Sequence, residues 1–530
     1  MSDKLSEYDA VIVGAGFSGL YMLYRLREQG LTVRVFEAAG GIGGTWYWNR
    51  YPGARCDAES MEYSYEFSSE VQQEWEWTDR YAKQAEILEY IEYIADRFEL
   101  RDGIQLNTRV SEMAFDEETN RWTLRIPDGA VSAKYCIMAT GCLSSFNKPD
   151  IEGIDSFSGE AYYTGRWPHE GVDFEGKRVA VIGTGSSGIQ SIPVIAEQAA
   201  HLHVFQRTAN YSIPAHNWKW DPAAQRRFKA GYDAFRERNH QSLLGANMRE
   251  HDRCAADATP EELEKEYQAR WEAGGLPFLA SFADLLFNPE ANKTAGDFVK
   301  RKIREIVKDS EVAELLIPKN EFGCKRLCVD SGYYETFNRA NVTLVDISAT
   351  PIEEITASGL MIDGKNYDVD VIVFATGFDA MTGTLNRIDV RGRGGQALKE
   401  KWSAGPLTYL GISVAGFPNF FTISGPGSPS VLSVMTHTIE QHVNWISDCV
   451  AYLQEHDLET IEPTREAEGA WVEHVTEVAK PTVFYKANSW YMGANIPGKP
   501  SVFMPYFGVL SYVEKCNEVV ERGYEGFLLD

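Results

Sequence analysis

Two glycine-rich loops of the same spacing constrain the fold of this chain more than any other feature. The first reads GAGFSG from Gly14 to Gly19, and the second reads GTGSSG from Gly183 to Gly188. Each loop follows a short apolar run and opens a segment with helical spacing. A strand, a glycine loop and a helix in this order form a Rossmann-type unit, whose loop backbone approaches a pyrophosphate. The sequence therefore predicts an α/β protein with two dinucleotide-binding domains.

The two units differ in the residue that would contact the ribose. The second strand of the first unit ends on Glu37, whose carboxylate can accept hydrogen bonds from both ribose hydroxyls. The corresponding strand of the second unit ends on Arg207 and Thr208. A guanidinium and a hydroxyl there favour a ribose 2′-phosphate, which a carboxylate would repel. The second cofactor is therefore predicted to be NADPH. The candidate contacts in the loops are Gly14, Gly16, Ser18 and Gly19 for the first cofactor and Gly183, Thr184, Gly185, Ser186, Ser187, Gly188, Ile189 and Gln190 for NADPH.

Composition excludes several other classes of protein. The net charge of −26 disfavours nucleic acid and anionic membranes as partners. No apolar stretch approaches the length of a membrane span, and the first residues lack the apolar region of a signal peptide, so we expect a cytoplasmic protein. The eight cysteines have no CxxC spacing. They predict free buried thiols, with neither a metal site nor the dithiol of a disulfide reductase.

A near repeat indicates how the domains are arranged. The segments 134–141 and 370–377 are both buried-strand patterns that end in Ala-Thr-Gly. The pair resembles flavoproteins that bind two dinucleotides, in which such an Ala-Thr-Gly closes each nucleotide-binding domain. This resemblance implies an interleaved layout, with a FAD domain built from residues 1–142 and 378–530 and an NADP domain at residues 143–377. A helical insertion is expected at about 214–322, a helix at about 84–99, another beginning near Val434, and aromatic-rich strands after residue 379.

A long motif between the loops resembles a known family. Residues Gly43 to Asp57, GGTWYWNRYPGARCD, match the motif [A/G]GxWxxxx[F/Y]P[G/M]xxxD of type I Baeyer–Villiger monooxygenases at every specified position. Residues Phe157 to Pro168 match the family fingerprint FxGxxxHxxxW[P/D], except that Tyr163 replaces the histidine. The segments 425–430 and 488–499 resemble the phenylacetone, acetone and steroid monooxygenase branch. The resemblance spans essentially the whole chain.

The resemblance implies a reaction and the residues that perform it. Reduced FAD would bind O2 as a C4a-peroxyflavin, attack a ketone and rearrange the Criegee adduct to an ester or lactone, with NADPH as the electron donor. Arg326 matches the arginine that stabilises the developing anion, and Asp57 matches the carboxylate that holds it. Lys325 would join Arg207 and Thr208 at the 2′-phosphate, and Trp490 would lie near the nicotinamide ribose. Arg326 is also expected to contact a cofactor. The implied FAD contacts are Glu37, Thr45, Trp46, Tyr47, Trp48, Asp57, Tyr63, Val110 and Met435.

Alternatives remain open at this point. The same loops occur in flavin monooxygenases that oxidise nitrogen or sulfur atoms, and an uncoupled NADPH oxidase or sensor would also retain them. Tyr163 is expected to preserve a hydrogen bond in the interdomain linker and to alter the coupling of NADPH use to oxygenation, while His169 is expected at the surface. The ketone is not specified, and the chain is expected to be a monomer or a loose dimer.

Overall fold

The computed structural model describes residues 5–250 and 252–530, and its N-terminal part contains the first Rossmann-type unit. Strand β1 leads through the glycine loop into helix α1, as the apolar run and its loop predict. The elements of this part are β1 Ser6–Val13, α1 Phe17–Glu28, β2 Val33–Phe36, α2 Thr45–Trp48, α3 Ser69–Glu74, α4 Gln84–Arg97, β3 Ile104–Gln105, β4 Glu112–Asp116, β5 Arg121–Ile126 and β6 Gly129–Met138.

The middle of the chain contains the second unit and most of its helices. After β10 the described chain forms helices until β11, so the predicted helical insertion is present. The elements are β7 Glu160–Tyr163, β8 Arg178–Ile182, α5 Ser186–Gln198, β9 His201–Gln206, β10 Ser212–Pro214, α6 Pro222–Lys229, α7 Tyr232–His240, α8 Pro260–Ala273, α9 Pro289–Ile306, α10 Ser310–Leu316, β11 Cys328–Asp330, α11 Tyr333–Thr336, β12 Val342–Asp346, β13 Glu354–Ile355, β14 Gly359–Ile362, β15 Lys365–Asp368 and β16 Val371–Phe374.

The last part of the chain contains more helix than strand, which corrects the expectation of aromatic-rich strands. Its strands are only three residues long, and its aromatic side chains are largely buried in the core around helix α13. Large aromatic residues favour strands but also fill the space between helices and a sheet. The elements are β17 Asp389–Arg391, α12 Leu398–Lys401, β18 Phe420–Thr422, α13 Met435–Glu455, β19 Ile461–Pro463, α14 Arg465–Ala479, α15 Val483–Lys486, α16 Val509–Glu521 and β20 Phe527–Leu529.

Two sheets position the glycine loops. The larger sheet has the order β17-β4-β5-β6-β1-β2-β3, with β18 also paired to β6. The second sheet has the order β12-β9-β8-β16-β7, and all of its pairs are parallel. In both sheets the glycine loop follows a central strand, at the edge where open α/β sheets bind ligands. The predicted α/β fold with two Rossmann-type domains is confirmed.

All eight cysteines are free thiols, and seven of them are buried, as the spacing predicted. Among the described residues, no helix combines the length and apolar character needed to cross a bilayer.

Candidate active site

The first glycine loop has the backbone shape that a dinucleotide pyrophosphate requires. Gly14 adopts φ +109°, and a Cβ on Gly19 would lie only 1.9 Å from the carbonyl oxygen of Gly14. Helix α1 can therefore start directly against strand β1. The carboxylate of Glu37 accepts hydrogen bonds from the backbone N–H of Ala15 at 2.8 Å and of Ala39 at 2.7 Å. This carboxylate is fixed beside the loop, and the arrangement fits a dinucleotide with free ribose hydroxyls.

The second loop repeats this geometry. Gly183 adopts φ +108°, and a Cβ on Gly188 would lie 2.2 Å from the carbonyl oxygen of Gly183. No heavy atom lies within 4 Å of the Cβ position of Gly185, so its backbone faces open space. The Thr184 hydroxyl donates to the carbonyl of Thr208 at 2.9 Å and links the loop to the end of β9. The loop and the residues that follow β9 are thereby held as one unit.

Two cations lie beside this second loop. Arg207 and Thr208 are exposed at the end of β9. Burial lowers the pKa of Lys325, and the nearby charge of Arg207 lowers it further, so the two cations are close enough to repel each other. Among the described residues, no carboxylate forms an ion pair with either of them. Two cations held together without an acidic partner fit a doubly charged phosphate.

The long motif packs between the two Rossmann-type units. At its start, the Gly43 N–H donates to the carbonyl of Ala15 at 2.9 Å. Further along, the Tyr51 hydroxyl donates to Gln190 Oε1 at 2.9 Å, and Gln190 Nε2 donates to the carbonyl of Arg55 at 3.1 Å. The motif therefore joins the first glycine loop to helix α5 of the second unit.

The same motif contacts the family fingerprint through its aromatic residues. The guanidinium of Arg166 lies 3.9 Å from the ring centre of Trp48. Trp46 Nε1 donates to the Tyr63 hydroxyl at 3.1 Å. Burial raises the pKa of Tyr63 well above its usual value.

His169 is exposed, as predicted, and the centre of its ring lies 4.6 Å from that of Tyr47.

Arg326 and Asp57 form a bidentate ion pair, although 269 positions separate them in sequence. Arg326 Nε donates to Asp57 Oδ2 at 3.0 Å, and Nη2 donates to Oδ1 at 2.6 Å. The third contact runs from Nη1 to the carbonyl oxygen of Val431 at 2.7 Å. Burial alone would lower the pKa of Arg326, but the Asp57 carboxylate raises it above its ordinary value. The guanidinium is thus a permanently charged group with a fixed orientation.

This ion pair forms part of the wall of a cavity. The cavity contains about 720 Å³ of empty space, counting the part open to solvent. Its remaining wall is mostly apolar and includes residues from the helical insertion and from the segment before α13. The larger apolar residues of the wall, with Ala246 and Tyr491, are Leu244, Met248, Leu276, Pro277, Leu279, Leu327, Val431, Leu432, Val434 and Phe484, and Glu59, Glu62 and Asn247 also line the cavity. A charged donor in an apolar cavity interacts strongly with a developing anion.

The structure brings only some of the predicted residues together at this cavity. Asp57, Lys325 and Arg326 line it, whereas Trp490 does not and the adjacent Tyr491 does. Val110 is buried in a separate cluster with Val13 and Phe36, at the ends of β1 and β2. The remaining predicted FAD contacts, Thr45, Tyr47 and Met435, lie in the motif helix α2 and at the first residue of α13.

Sequence reasoning missed two contributions to the site. The Val431 carbonyl that orients Arg326 has no sequence signature, because any residue supplies a carbonyl. The helical insertion supplies Leu244, Met248 and Leu279 to the cavity, but their spacing is that of ordinary core residues.

The expected hydrogen bond of Tyr163 is wrong. Among the described residues its hydroxyl has no hydrogen-bond partner, and only burial and the charges of Lys148 and Asp155 act on its pKa, which burial raises. Instead its ring stacks on Phe374 with centres 4.8 Å apart and an interplanar angle of 14°, and also contacts Phe146 at 5.1 Å. Strand β7 pairs with β16 in register, which places Tyr163 opposite Phe374. Tyr163 therefore contacts its neighbours through its aromatic ring and not through its hydroxyl.

The fold and site define an oxidoreductase with two dinucleotide-binding units and, beside them, a mostly apolar cavity that contains the Arg326–Asp57 ion pair. A family model described as pyridine nucleotide-disulphide oxidoreductase matches residues 11–252. The chain is 43% identical to a Baeyer–Villiger monooxygenase of Pseudooceanicola batsensis, over 99% of this chain and 97% of that protein. It is 41% identical to the phenazine N-monooxygenase PhzNO1 of Lysobacter antibioticus, over 100% of this chain and 98% of that protein. A solved structure of oxidised steroid monooxygenase bound to NADP is 52% identical, with a TM-score of 0.95 and 99% of both chains covered. The chain belongs to the Baeyer–Villiger monooxygenase family.

Proposed function

We propose that this protein is an NADPH- and O2-dependent monooxygenase that inserts one oxygen atom beside the carbonyl of a ketone, giving an ester or a lactone. The observation that carries the proposal is the bidentate Arg326–Asp57 pair in the wall of a mostly apolar cavity, which Glu59, Glu62 and Lys325 also line. Membership of the Baeyer–Villiger family and the two dinucleotide loops support it. The partners are accordingly a ketone and O2.

FAD is proposed to occupy the unit formed by residues 1–142 and 378–530, and NADP the unit formed by residues 143–377. The first glycine loop and Glu37 would hold FAD, because the loop backbone can approach a pyrophosphate closely and the Glu37 carboxylate is fixed beside the loop. Arg207, Thr208 and Lys325 would hold the 2′-phosphate of NADP. When bound and reduced by NADPH, FAD supplies the activated oxygen that reaches the ketone.

Arg326 would act on the charge that develops during the reaction. Negative charge accumulates on the ketone oxygen when its carbonyl carbon is attacked, and a fixed guanidinium lowers the energy of that state. Asp57 and the Val431 carbonyl hold the guanidinium in place. A guanidinium stays charged throughout the physiological pH range, so the donor needs no titration to act. The apolar walls would exclude water, which strengthens the interaction.

Substitution of Arg326 tests the proposal. We expect Arg326→Ala to lower the rate of ketone oxygenation by about 10²–10³-fold, the usual loss for one such donor, while FAD and NADPH still bind. A panel of aryl, linear and bulky cyclic ketones would be scored by product mass and NADPH oxidation. Arg125→Ala removes an exposed arginine paired with Glu112 and serves as the matched control. Undiminished ester formation in Arg326→Ala would contradict the proposal.

Oxidation of nitrogen or sulfur atoms is the second candidate function, because one relative of similar identity is named a phenazine N-monooxygenase. A heteroatom substrate develops no oxyanion at a carbonyl carbon, so its oxidation would depend less on Arg326. Assaying an aromatic amine, a heteroaromatic nitrogen compound and a sulfide with wild type and Arg326→Ala separates the two functions. Peroxide measured in the same reactions detects an enzyme that only consumes NADPH.

A further inference from the structure

A cluster of two histidines and a glutamate lies outside the cavity and has no part in the proposed reaction. His240 is the last residue of α7, His437 is in the first turn of α13, and Glu66 lies in the segment between α2 and α3. His240 Nε2 is 2.8 Å from Glu66 Oε2, and His437 Nδ1 is 3.5 Å from Glu66 Oε1. One ligand atom from each residue lies within 4.8 Å of the other two. Three chain segments thus direct metal-ligand atoms to one point.

The surroundings of His437 indicate that a cation belongs between these groups. Its other nitrogen, Nε2, is buried without a hydrogen-bond partner. If the ring proton is on Nε2, the Nδ1 lone pair faces a carboxylate oxygen and two acceptors oppose each other; if it is on Nδ1, the Nε2 lone pair is buried without a donor. The two imidazole rings lie only 4.4 Å apart. An ion bound to Nδ1 and to Glu66 would leave the proton on Nε2 and replace the opposed lone pairs with ligand bonds.

The charges around the cluster are compatible with an added cation. Arg236 lies 3.6 Å from Glu66 Oε1, but its N–H groups donate to the carbonyls of Glu62 and Ser64. Glu440 lies behind the cluster and accepts the backbone N–H groups of Glu66 and Phe67. The Arg236 N–H groups are therefore directed mainly at backbone oxygens, and burial raises the pKa of Glu440 to about 8, which leaves Glu66 as the charged carboxylate of the cluster. The imidazole of His240 is 39% exposed, which leaves a path for an ion and a water ligand.

We propose that Glu66, His240 and His437 bind one divalent transition-metal ion of the zinc type. Two imidazole nitrogens and one carboxylate oxygen are a common ligand set for zinc, with water in the fourth position. Ligand atoms around a tetrahedral zinc ion are roughly 3.3 Å apart for the usual bond lengths. The two histidines contact different oxygens of Glu66, at 2.8 and 3.5 Å, and one ligand atom from each residue lies within 4.8 Å of the others, so the side chains would have to move closer together on binding. The proton that His240 Nε2 shares with Glu66 would be released to solvent on binding.

Such an ion would fix a wall of the cavity. It would join α7, which belongs to the helical insertion, to α13 and to the segment that follows Asp57. Leu244 and Met248 come directly after α7 and line the cavity. Zinc binding is therefore expected to restrain this wall, although the site contributes no group to the cavity itself.

Zinc binding to the FAD-loaded, untagged protein tests the proposal. The protein is stripped with a chelator and dialysed against increasing zinc, and metal per chain is counted by elemental analysis. We expect one zinc ion per chain in wild type and binding at least about tenfold weaker in His240→Gln and in His437→Gln. The temperature of half-unfolding should rise with zinc in wild type and not in these two variants, because the ion binds the folded state. Glu66→Gln gives the same test if either histidine variant fails to retain FAD.

His201→Gln is the matched control, since His201 and His203 on β9 form another close histidine pair, with ring centres 4.5 Å apart. Zinc that is lost from His201→Gln and kept by His437→Gln would overturn the proposal. So would the absence of zinc above the buffer level, or a half-unfolding temperature that responds to pH but not to zinc. None of these readings depends on oxygenation activity, so the failure of this site and the failure of the proposed function are distinguishable.

Discussion

Tyr163 packs at the junction of the two strands that lead into the interdomain segments. Its ring stacks on Phe374, and its hydroxyl bonds to none of the described residues. An imidazole offers less stacking area, and an aromatic pair contributes about 0.5–1.5 kcal/mol. We therefore expect Tyr163→His to loosen this edge and to raise peroxide release per NADPH consumed, with and without ketone.

Tyr163→Phe is the control for this prediction, because it keeps the stacked ring and removes only the hydroxyl. Its peroxide release and half-unfolding temperature should equal those of wild type. Equal peroxide release from Tyr163→His and wild type would contradict the prediction.

At this scale the sequence predicted the residues of the ion pair but not their environment. Asp57 closes a long motif and Arg326 follows Lys325, so both could be matched by residue type and spacing. Their contact with the Val431 carbonyl could not, because backbone groups carry no residue identity. The hydrogen bond expected of Tyr163 was wrong because side-chain chemistry alone does not reveal that an aromatic partner lies opposite on β16.

At the scale of structural elements, two glycines of the second glycine loop are expected to have different roles, Gly185 in cofactor binding and Gly188 in folding. A methyl group at Gly185 meets no atom within 4 Å, and its backbone conformation is ordinary for other residues. The same group at Gly188 would collide with the Gly183 carbonyl. We expect Gly185→Ala to unfold at the wild-type temperature but to raise the KM for NADPH by about tenfold or more, since the methyl group occupies the pyrophosphate approach.

Gly188→Ala is the contrasting variant, and it should lower the half-unfolding temperature because helix α5 must move away from β8. Steady-state kinetics and thermal unfolding of both variants check the pair. An unchanged KM for NADPH in Gly185→Ala would show that the loop does not hold the pyrophosphate.

Helix α13 contains a histidine that makes stability depend on pH. His442 is fully buried, its Nδ1 accepts from the Ser424 N–H at 3.0 Å, and Nε2 lies 2.8 Å from the Tyr512 hydroxyl. Burial lowers the pKa of His442 from 6.5 to about 3. Below pH 6.5 the unfolded chain therefore binds a proton that the folded chain does not, and stability is lost as pH falls toward 3.

The loss from His442 is about 1.4 kcal/mol per pH unit at most, or roughly 2 kcal/mol at pH 5. We expect His442→Gln to show a shallower fall in unfolding free energy between pH 6.5 and 5 than wild type, measured by urea unfolding of the FAD-loaded protein. His456→Gln, which changes an exposed histidine at the end of the same helix, should keep the wild-type slope. A His442→Gln slope equal to that of wild type would refute this assignment.

The elements themselves were predictable where local pattern and burial agree. The two βαβ units and helix α4 follow from apolar spacing, and α13 begins within one residue of its predicted start. The C-terminal part was misread because its aromatic residues suggested strands, although they fill the core around α13 and α14. Sequence periodicity does not show which neighbour an aromatic residue packs against.

At the scale of the whole molecule, the long motif serves as a mechanical link as well as a site element. It contacts the first glycine loop through Gly43 and helix α5 through Tyr51 and Arg55. A reaction that uses two cofactors requires both to reach one cavity, so the relative position of the two units matters as much as each loop. The interleaved chain order was predicted from the repeated Ala-Thr-Gly segments. The docking of the motif on α5 was not, because it depends on contacts between residues more than 130 positions apart.

Gln190 is the residue through which this link can be tested. Its side chain accepts from the Tyr51 hydroxyl and donates to the Arg55 carbonyl, while its carbonyl oxygen lies 2.2 Å from the Cβ position of Gly53. Gln190→Ala would remove all three side-chain hydrogen bonds of Gln190, to the Tyr51 hydroxyl and to the backbone N–H and carbonyl of Arg55, at a cost of about 1–3 kcal/mol. We expect slower flavin reduction by NADPH in stopped-flow measurements, with FAD content unchanged, because the two units would be held less firmly.

Gln198→Ala, at the exposed end of α5, is the control, and its flavin should be reduced at the wild-type rate. If Gln190→Ala also does so, the motif does not control the alignment of the two units, and its length must be explained by the cavity alone.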